Sequence, residues 1–404
     1  MKNKFTSQQI MVLIGACLFQ CSMIGVLINC SGVIFAQIRY ELGFTMSKIS
    51  VYNTMKGLTT AIAATAITAF FFKSNKARFL LINQIATIVS FLLLVVGAEG
   101  ALWYISAIVC GLSSCVVHVA VPMLLNQWFP ENAGTVTGIA MAFSGIGGAL
   151  CNPLCAKLIH LAGWKWSIVI LGVIMLAMTI PGLHLMFRTD APNPTGKTAA
   201  TVQRDGAKGI GNIGTVILVT LVLLGGSMGV TFALNISMFA QSIGYSLSVG
   251  ATLTTMIMMG NVCGKFLYGM LCDKLGVWKA TMMALSVAAA ALLCYLFAQE
   301  QVAVLFAASM LFGCVYALSV VGISRCCISA YGQQESKRYL GIHTCINSII
   351  TAAVSLLVGI LYDWAQSFTP VIIMVLCAFA CSFAAASVLM SRCGKPDEHI
   401  RSQG

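Results

Sequence analysis

Charge is scarce in this chain of 404 residues, since Asp, Glu, Lys and Arg together make up 8% of it. Acidic residues are the rarer of the two charged types, with 11 of them against 23 basic residues. A soluble globular domain carries roughly 25% charged residues, so the composition excludes that class. Apolar residues account for 59% of the chain. They fall into about twelve blocks long enough to cross a bilayer, which predicts a polytopic membrane protein.

Motifs for catalysis and for cofactor binding are also missing. The sequence contains no Cys-x-x-Cys pair, no Walker loop, no haem or zinc motif and no nucleophile elbow. Most of its 17 cysteines lie inside apolar blocks, where a thiol acts as a small hydrophobe. We therefore predict that the protein is not an enzyme and binds no metal or cofactor. Its energy source is expected to be a gradient.

The apolar blocks are interpreted as helices, because hydrocarbon offers the backbone no other hydrogen-bond partner. The predicted spans are 10–36, 47–72, 78–98, 101–126, 133–162 and 166–187, followed by 212–240, 246–271, 277–298, 302–330, 338–364 and 369–390. The stretch between the two sets is rich in Pro, Gly and positive charge, which is typical of a flexible linker. We predict an N-terminal six-helix bundle at 1–187, a cytoplasmic linker at 188–211 and a C-terminal six-helix bundle at 212–404.

Lys and Arg are distributed unevenly over the predicted loops. With a cytoplasmic N-terminus, the inner segments hold sixteen of them and the outer segments hold three, Arg39, Lys48 and Lys165. The positive-inside rule then places both termini in the cytoplasm, and it accounts for the net charge of +12 without a nucleic-acid partner. No cleavage site follows the first apolar block, so we expect that block to remain as a helix. We predict a multi-pass protein of a bacterial cytoplasmic (inner) membrane.

The two halves of the chain show a weak internal repeat. At an offset of 202 residues, Gly111 pairs with Gly313 and Phe129 with Tyr331, and the apolar positions between them match in kind. Two six-helix bundles joined by a long inner loop are the plan of major facilitator transporters, whose halves rock about a site at the bilayer midplane.

Several motifs of the first half are similar to one group within that superfamily. They are Ser31-Gly32-Val33-Ile34-Phe35, Glu41-Leu42-Gly43-Phe44, Asn126-Gln127-Trp128-Phe129-Pro130, Ser144-Gly145-Ile146-Gly147-Gly148 and Gly163-Trp164-Lys165-Trp166. Together they resemble the monocarboxylate transporter group and its oxalate:formate antiporter relatives. The resemblance implies an all-α membrane protein with twelve transmembrane helices in two six-helix bundles, the major facilitator fold.

A loop motif in the second half also resembles that superfamily. The segment Gly269-Met270-Leu271-Cys272-Asp273-Lys274-Leu275-Gly276 is similar to the facilitator pattern G-x-x-x-D-x-x-G after the eighth helix. A carboxylate there can accept hydrogen bonds from the N-terminus of a neighbouring helix, where anions are favoured. We predict that Asp273, with Gly269 and Gly276, forms a conformational latch, the alternative being a turn with one solvated charge.

Four basic residues, Lys56, Lys157, Lys265 and Arg325, lie inside predicted spans. A charge at the centre of a membrane helix costs roughly 2.5–3.5 kcal/mol. Lys157 and Arg325 are close enough to a span end to extend towards the headgroups. Lys56 and Lys265 lie deeper, and we expect them to have a functional role, with an ion pair for Lys56 and snorkelling for Lys265 as the alternatives.

The resemblance implies a role for Lys265. Asn261-x-x-x-Lys265 overlays a family pattern in which an Asp precedes a substrate-binding Arg by four residues, and this spacing puts both on one helix face. Two departures are that Asn261 replaces the Asp and that Asn29-Cys30 stands where a Lys is expected at the end of the first helix. We predict a substrate site of Lys265, Lys56, Asn261 and Asn29. His118 and His343 are candidates for proton coupling, with hydrogen-bonded packing as the alternative.

These features predict a secondary active transporter for a small organic anion, a monocarboxylate such as lactate, pyruvate or formate. It would work by alternating access, through proton symport or anion exchange. One alternative is an exporter of an apolar or cationic compound, and another is a transport-inactive membrane sensor. The expected partners are the substrate and the lipid bilayer, and the expected functional unit is a monomer.

Overall fold

The computed structural model describes residues 5–73, 75–129, 133–188 and 213–393. Within these ranges, side chains are described everywhere except at 64–73, 115–120, 122–123, 126, 133–135, 333–334 and 337–338. The described residues are helical apart from short connections, and they contain no β-strand.

The first half of the chain makes six crossings. Its helices are α1 (Ser7–Gln20), α2 (Ser31–Leu42), α3 (Met46–Lys73), α4 (Lys76–Gly97), α5 (Ala101–Trp128) and α6 (Ala133–Phe187). A π-helical segment, Cys21–Ile28, joins α1 to α2 within a single crossing. Gly163 leaves helical geometry at φ 77° and ψ 165°, so α6 turns there and supplies two crossings.

The second half repeats this arrangement. Its helices are α7 (Ile213–Leu234), α8 (Ile236–Ser242), α9 (Leu247–Leu275), α10 (Val277–Phe297), α11 (Val302–Phe312), α12 (Val315–Ala317), α13 (Ile323–Ala365) and α14 (Thr369–Cys393). The pair α7 and α8 forms one crossing. Another crossing consists of α11, α12, a π-helical segment at Leu318–Gly322 and the start of α13. Gly332, at φ 75° and ψ 169°, divides α13 between two crossings.

The predicted fold class is confirmed. Nine helical stretches of the described chain are apolar and long enough to cross a membrane, and the turn at Gly163 divides one of them in two. Helices α3 and α5 have 28 residues each, about 42 Å, which is also sufficient to cross. The total is twelve crossings in two sets of six. The predicted domain limits stay a prediction, because most of 188–211 lies outside the described residues.

Helix ends and breaks differ from the sequence prediction at several places. The first crossing runs to Leu42 rather than residue 36, because the polar turn that includes Gln37 and Arg39 continues the helix until Gly43 takes a left-handed φ of 63°. The seventh crossing, predicted as one helix over 212–240, breaks at Asn235 between α7 and α8. The backbone N–H of Asn235 donates to Phe232 O, a tighter turn than the α-helical one.

The internal repeat corresponds to repeated packing. A Cβ on Gly111 of α5 would lie 2.5 Å from the Lys56 carbonyl oxygen of α3. A Cβ on Gly313, the matching residue, would overlap the Ile257 carbonyl oxygen of α9. In each half a glycine of the fourth crossing therefore lets that crossing touch the backbone of the second crossing, which is α3 in the first half and α9 in the second.

The turn before the second crossing is also repeated. Gly43 and Gly244 both have positive φ, 63° and 90°. Each glycine is followed by an aromatic residue, Phe44 or Tyr245, and then by a residue with a hydroxyl group. That hydroxyl accepts a hydrogen bond from a backbone N–H in the first turn of the next helix. Lys48 N donates to Thr45 Oγ1 (3.3 Å), and Val249 N donates to Ser246 Oγ (3.4 Å).

Candidate functional site

Asn261 lies at mid-depth on α9, fourteen residues and about 21 Å from the start of that helix. Its side chain is 2% exposed. The amide Nδ2 is 3.9 Å from Met258 Sδ, a weak contact, and Oδ1 has no hydrogen-bond donor among the described residues. A buried amide oxygen without a donor costs on the order of 1–3 kcal/mol, so this oxygen is suited to accept from a bound molecule.

Glycines of α9 itself and of α6 hold Asn261 at the contact between the two halves. On one side, Gly260 and Gly264 of α9 lie against the backbone of the tenth crossing at Met310 and Cys314. On the other side, a Cβ on Gly145 of α6 would lie 3.3 Å from Asn261 Nδ2. The close approach of α6 and α9 thus places a half-satisfied polar side chain between the bundles.

Asn29 reaches the same contact from the first half. It follows the π-helical segment, and its backbone N–H donates to Ile24 O at 2.8 Å. Its side-chain Nδ2 donates to Ser144 O of α6 at 2.8 Å. A Cβ on Gly148 would lie 2.9 Å from Asn29 Nδ2 and 3.0 Å from Met258 Cγ. Asn29 therefore joins the first crossing to α6 beside the α6–α9 contact.

Lys265 lies one helical turn beyond Asn261 and is half-buried. Within the described residues, no carboxylate oxygen lies within 4 Å of it. The acidic residues of the described chain all lie at or near helix ends, and they are Glu41, Glu99, Asp273, Glu300, Glu335 and Asp363. The interior around Lys265 consequently has a positive charge without a described counter-ion.

Tyr316 of the tenth crossing is a further buried polar side chain that the sequence analysis missed. Gly313 packs on α9, the Cys314 thiol lies 3.4 Å from Ala284 O of α10, and Val315 packs on Gly229 of α7. Tyr316 lies in α12, which packs against both α7 and α9. Its hydroxyl is buried and has no partner among the described residues. A tyrosine in an apolar span gives no sequence signal that distinguishes it from a packing residue.

Lys56 belongs to a different region. It lies ten residues into α3, about 15 Å from its start, whereas Lys265 lies eighteen residues into α9, about 27 Å from its start. Its carbonyl oxygen accepts from Thr60 Oγ1 at 2.9 Å, and no described contact joins its side chain to Lys265. The two cations are about 12 Å apart in depth, since both helices begin on the same side.

The two candidate histidines have different outcomes. The side chain of His118 lies outside the described residues. His343 is 1% exposed, with Nε2 2.9 Å from the Tyr331 hydroxyl and Nδ1 3.3 Å from Thr220 Oγ1. Both ring nitrogens therefore have neighbours, and the ring links α7 to the two parts of α13. This geometry is that of a hydrogen-bonded packing residue, and proton coupling stays a prediction.

Asp273 makes an ion pair with Arg325 of α13, with the Oδ1 to Nη1 distance at 3.0 Å. The side chains are 64% and 41% exposed, so the pair is screened by solvent. Gly276 caps the turn into α10 at φ 85°, and its N–H donates to Cys272 O. A Cβ on Gly269 would meet nothing within 4 Å. The Arg325 contact lies within the second half, and a latch between the halves at Asp273 stays a prediction.

An apolar groove of about 290 Å³ lies between α9, α10 and α11. Its lining includes Leu267 and Leu311, whose side chains are 54% and 52% exposed on the outer surface of the bundle. Neither Asn261 nor Lys265 lines it. The groove is therefore a feature of the lipid-facing surface, separate from the polar site.

Twelve crossings in two similar halves, with polar side chains at mid-depth between them, define a helical membrane protein built on the transporter plan. The family description "Major Facilitator Superfamily" matches residues 13–355, most of the chain. The chain belongs to the major facilitator superfamily.

Individual relatives are more distant. The MFS-type transporter pytF of Aspergillus terreus is 26% identical over 170 residues, which are 40% of this chain and 56% of that protein. A Cupriavidus necator protein named "Probable sulfoacetate transporter SauU" is 27% identical over 167 residues, 37% of this chain and 38% of that protein. The chain thus spans about half, or less, of the length of these curated relatives.

A crystal structure of the nucleoside transporter NupG has the same fold. Superposition of the two chains gives a TM-score of 0.71. The match covers 95% of this chain and 99% of the NupG chain at 11% sequence identity. At that identity the likeness concerns the fold alone.

Proposed function

We propose that the protein is a secondary active transporter that moves a small organic anion, of the monocarboxylate class, by alternating access. Lys265 supplies the positive charge that attracts the carboxylate. Asn261 and Tyr316 supply an amide and a hydroxyl next to it. The observation that carries the proposal is Lys265 of α9, which has no described counter-ion and lies one turn from the half-satisfied buried amide of Asn261 at the bundle contact.

An anion is the substrate class that this environment favours. A membrane-buried cation costs roughly 2.5–3.5 kcal/mol, and a bound carboxylate offsets part of that cost through a charge-assisted hydrogen bond. A cationic substrate would meet repulsion from Lys265 and Lys56. The name of the SauU relative, which refers to an organic anion, agrees with this choice.

Lys56 has a supporting role in the proposal. At about 12 Å from Lys265 in depth, it lies too far to hold the same small carboxylate by direct contact. It raises the positive potential on the path between the outer end and the site. Asn29 has a structural role in the proposal: its hydrogen bond to Ser144 O positions α6 beside Asn261. The proposed site thus has an attracting charge in the first half and a binding charge in the second.

The proposed arrangement in the cell follows the distribution of Lys and Arg. Both termini and the linker at 188–211 are cytoplasmic, and the two bundles at 1–187 and 212–404 move against each other in a bacterial inner membrane. The protein works as a monomer, and its coupling is either proton symport or anion exchange.

A thermal-shift screen tests the binding site. The purified protein in detergent is heated with small carboxylates, sugars, amino acids and lipophilic cations, because a ligand that binds only the folded state raises the apparent melting temperature. The screen is repeated on Lys265→Ala. The matched control is Lys274→Ala, which removes an exposed charge from the last turn of the same helix.

The proposal expects one or more carboxylates to stabilise the parent and the Lys274→Ala protein but not Lys265→Ala. Stabilisation by lipophilic cations that is unchanged in Lys265→Ala would contradict the anion site and favour the exporter alternative.

A further inference from the structure

The two halves also meet at the ends of α3 and α13 that lie opposite the chain termini. Asp363, in the last turn of α13, accepts hydrogen bonds from two backbone amides of α3 in the other half. Met46 N donates to Oδ1 at 2.8 Å, and Ser47 N donates to Oδ2 at 2.7 Å. We propose that Asp363 is a positioning residue of the transport cycle, whose carboxylate holds this side of the substrate path closed by capping α3.

The chemistry of a helix start explains the contact. The first four N–H groups of a helix have no partner within it, and together they form a partial positive charge. Met46 and Ser47 are the first two residues of α3. Thr45 Oγ1 accepts from Lys48 N, so the local cap covers one amide and Asp363 covers two others. The start of α3 is therefore completed by a side chain from the opposite bundle.

The Asp363 contact is the outermost of a row of contacts between α3 and α13, called the seam below. Below it, a Cβ on Gly359 would lie 2.5 Å from Ser50 Oγ, and Ser355 Oγ donates to Ser50 O at 3.4 Å. One turn deeper, Thr54 Oγ1 donates to Ala352 O at 2.8 Å. Small residues bring the two helices together along this line, which runs about 16 Å from Asp363 to Ala352. The seam leads down towards Lys56.

Neighbouring side chains contact the end of α13 around Asp363. Gln366 Nε2 donates to the Asp363 carbonyl oxygen at 2.7 Å, and Gln366 itself ends the helix in a left-handed conformation at φ 50°. The Arg39 guanidinium lies over the Tyr362 ring, 4.8 Å from its centroid. Residues of the first half thus contact two successive residues of α13, Tyr362 and Asp363.

A contact of this kind biases the transport equilibrium. Hydrogen bonds between the halves exist only while these ends are together, so they stabilise that state alone and shift its population. Two other contacts join the halves: α2 meets the end of α7, where a Cβ on Gly32 would lie 2.7 Å from Leu234 O, and α6 meets α9 at mid-depth beside Asn261. Release of Asp363 is expected to loosen all three together. The inference rests on the proposed alternating access.

Hydrogen–deuterium exchange of the full chain in lipid nanodiscs tests this role without a substrate. The variants are Asp363→Ala, which removes both acceptors, and Asp363→Asn, which keeps one amide oxygen. The matched control is Glu41→Gln, because Glu41 is an exposed acid at the same end that accepts from Gln37 of its own helix. Exchange rates are compared at the start of α3, along α8 and at the start of α9.

We expect Asp363→Ala to raise exchange about fivefold, which corresponds to about 1 kcal/mol, in all three segments, with a smaller rise in Asp363→Asn and none in Glu41→Gln. Residues of α8 and α9 do not touch Asp363, so their response reports the opening of the whole side. A rise confined to residues 46–48 would reduce Asp363 to a local cap and overturn the proposal, as would no rise at all. Neither result would bear on the anion site, which the thermal-shift screen tests separately.

Discussion

The two halves of the chain share their packing but not their polar chemistry. In each half a glycine of the fourth crossing, Gly111 or Gly313, touches the backbone of the second crossing at almost the same depth. The first half has the cation Lys56 next to that contact, and the second half has the neutral Asn261 there, with its cation, Lys265, one turn further on. Repetition thus preserved the close helix contacts, while the side chains beside them diverged.

This difference suggests how an asymmetric site arises in a symmetric frame. Helix contacts through glycine depend on backbone shape, and any side chain at those positions would separate the helices. Lys56 and Asn261 take part in these contacts through backbone atoms, so their side chains can differ between the halves while the contacts stay. The expected consequence is that glycine substitutions have equal effects in the two halves, whereas substitutions at the cations have unequal ones.

The largest effect is expected from filling the glycine contacts. Gly313→Val and Gly111→Val each force a side chain against a helix backbone, and overpacking of this kind costs about 1–3 kcal/mol of folding free energy. Apparent melting temperatures in detergent check this. The control is Gly138→Val on α6, where a Cβ would meet nothing within 4 Å. A loss in only one half would show that the two contacts are not equivalent.

The second prediction separates the two cations. Lys265→Gln is expected to weaken binding of a stabilising carboxylate at least tenfold, about 1.4 kcal/mol, because it removes the direct charge partner. Lys56→Gln is expected to weaken it at most about threefold, since a charge offset by about 12 Å in depth alone contributes no more than on the order of 0.5–1 kcal/mol. Titration calorimetry or ligand-dependent melting measures both. Equal losses would place the two cations in one binding site.

The third prediction compares the two asparagines. Asn29→Ala removes the hydrogen bond to Ser144 O and is expected to lower stability by about 1 kcal/mol. Asn261→Ala removes no strong hydrogen bond, so its melting temperature is expected to stay near that of the parent while carboxylate affinity falls severalfold. Melting temperature and affinity are measured on the same samples. If Asn261→Ala melted earlier and bound normally, Asn261 would be a packing residue.

The smallest effect is expected at the exposed ion pair. Asp273→Asn or Arg325→Gln removes a pair whose side chains are 64% and 41% exposed, and such pairs contribute about 0–1 kcal/mol. We expect stability to change by less than about 0.5 kcal/mol and the difference to shrink in high salt. A large, salt-independent loss would mean that Asp273 has a second role, as the latch prediction requires.

The sequence was sufficient for the fold because the bilayer restricts the chain to helices of a known length. It placed the crossings correctly but missed the breaks at Asn29 and Asn235. The break at Asn29 coincides with a tertiary contact, the hydrogen bond from Asn29 Nδ2 to Ser144 O, that no local pattern records. The positive-φ turns at Gly163 and Gly332 fall within short connections that the sequence predicts.

The candidate site was only partly accessible from sequence. A charge in an apolar run is conspicuous, so the sequence identifies Lys56 and Lys265 as candidates. Their different depths along α3 and α9, about 12 Å apart, separate the two side chains, and the sequence alone does not give this separation. Tyr316 gave no signal, because an isolated tyrosine in an apolar span is common. Asp363 was missed for a different reason, since it lies at a helix end like any solvated acid, and its partners are 316 and 317 residues away.

Transport in proteoliposomes tests whether Lys265 binds the transported anion. Purified protein is reconstituted with an unlabelled monocarboxylate inside, and uptake of the labelled compound from outside is followed for the parent, Lys265→Gln and Lys274→Gln. The account predicts exchange by the parent and by Lys274→Gln, with little or none by Lys265→Gln. Undiminished exchange by Lys265→Gln would contradict the claim that this residue binds the substrate anion.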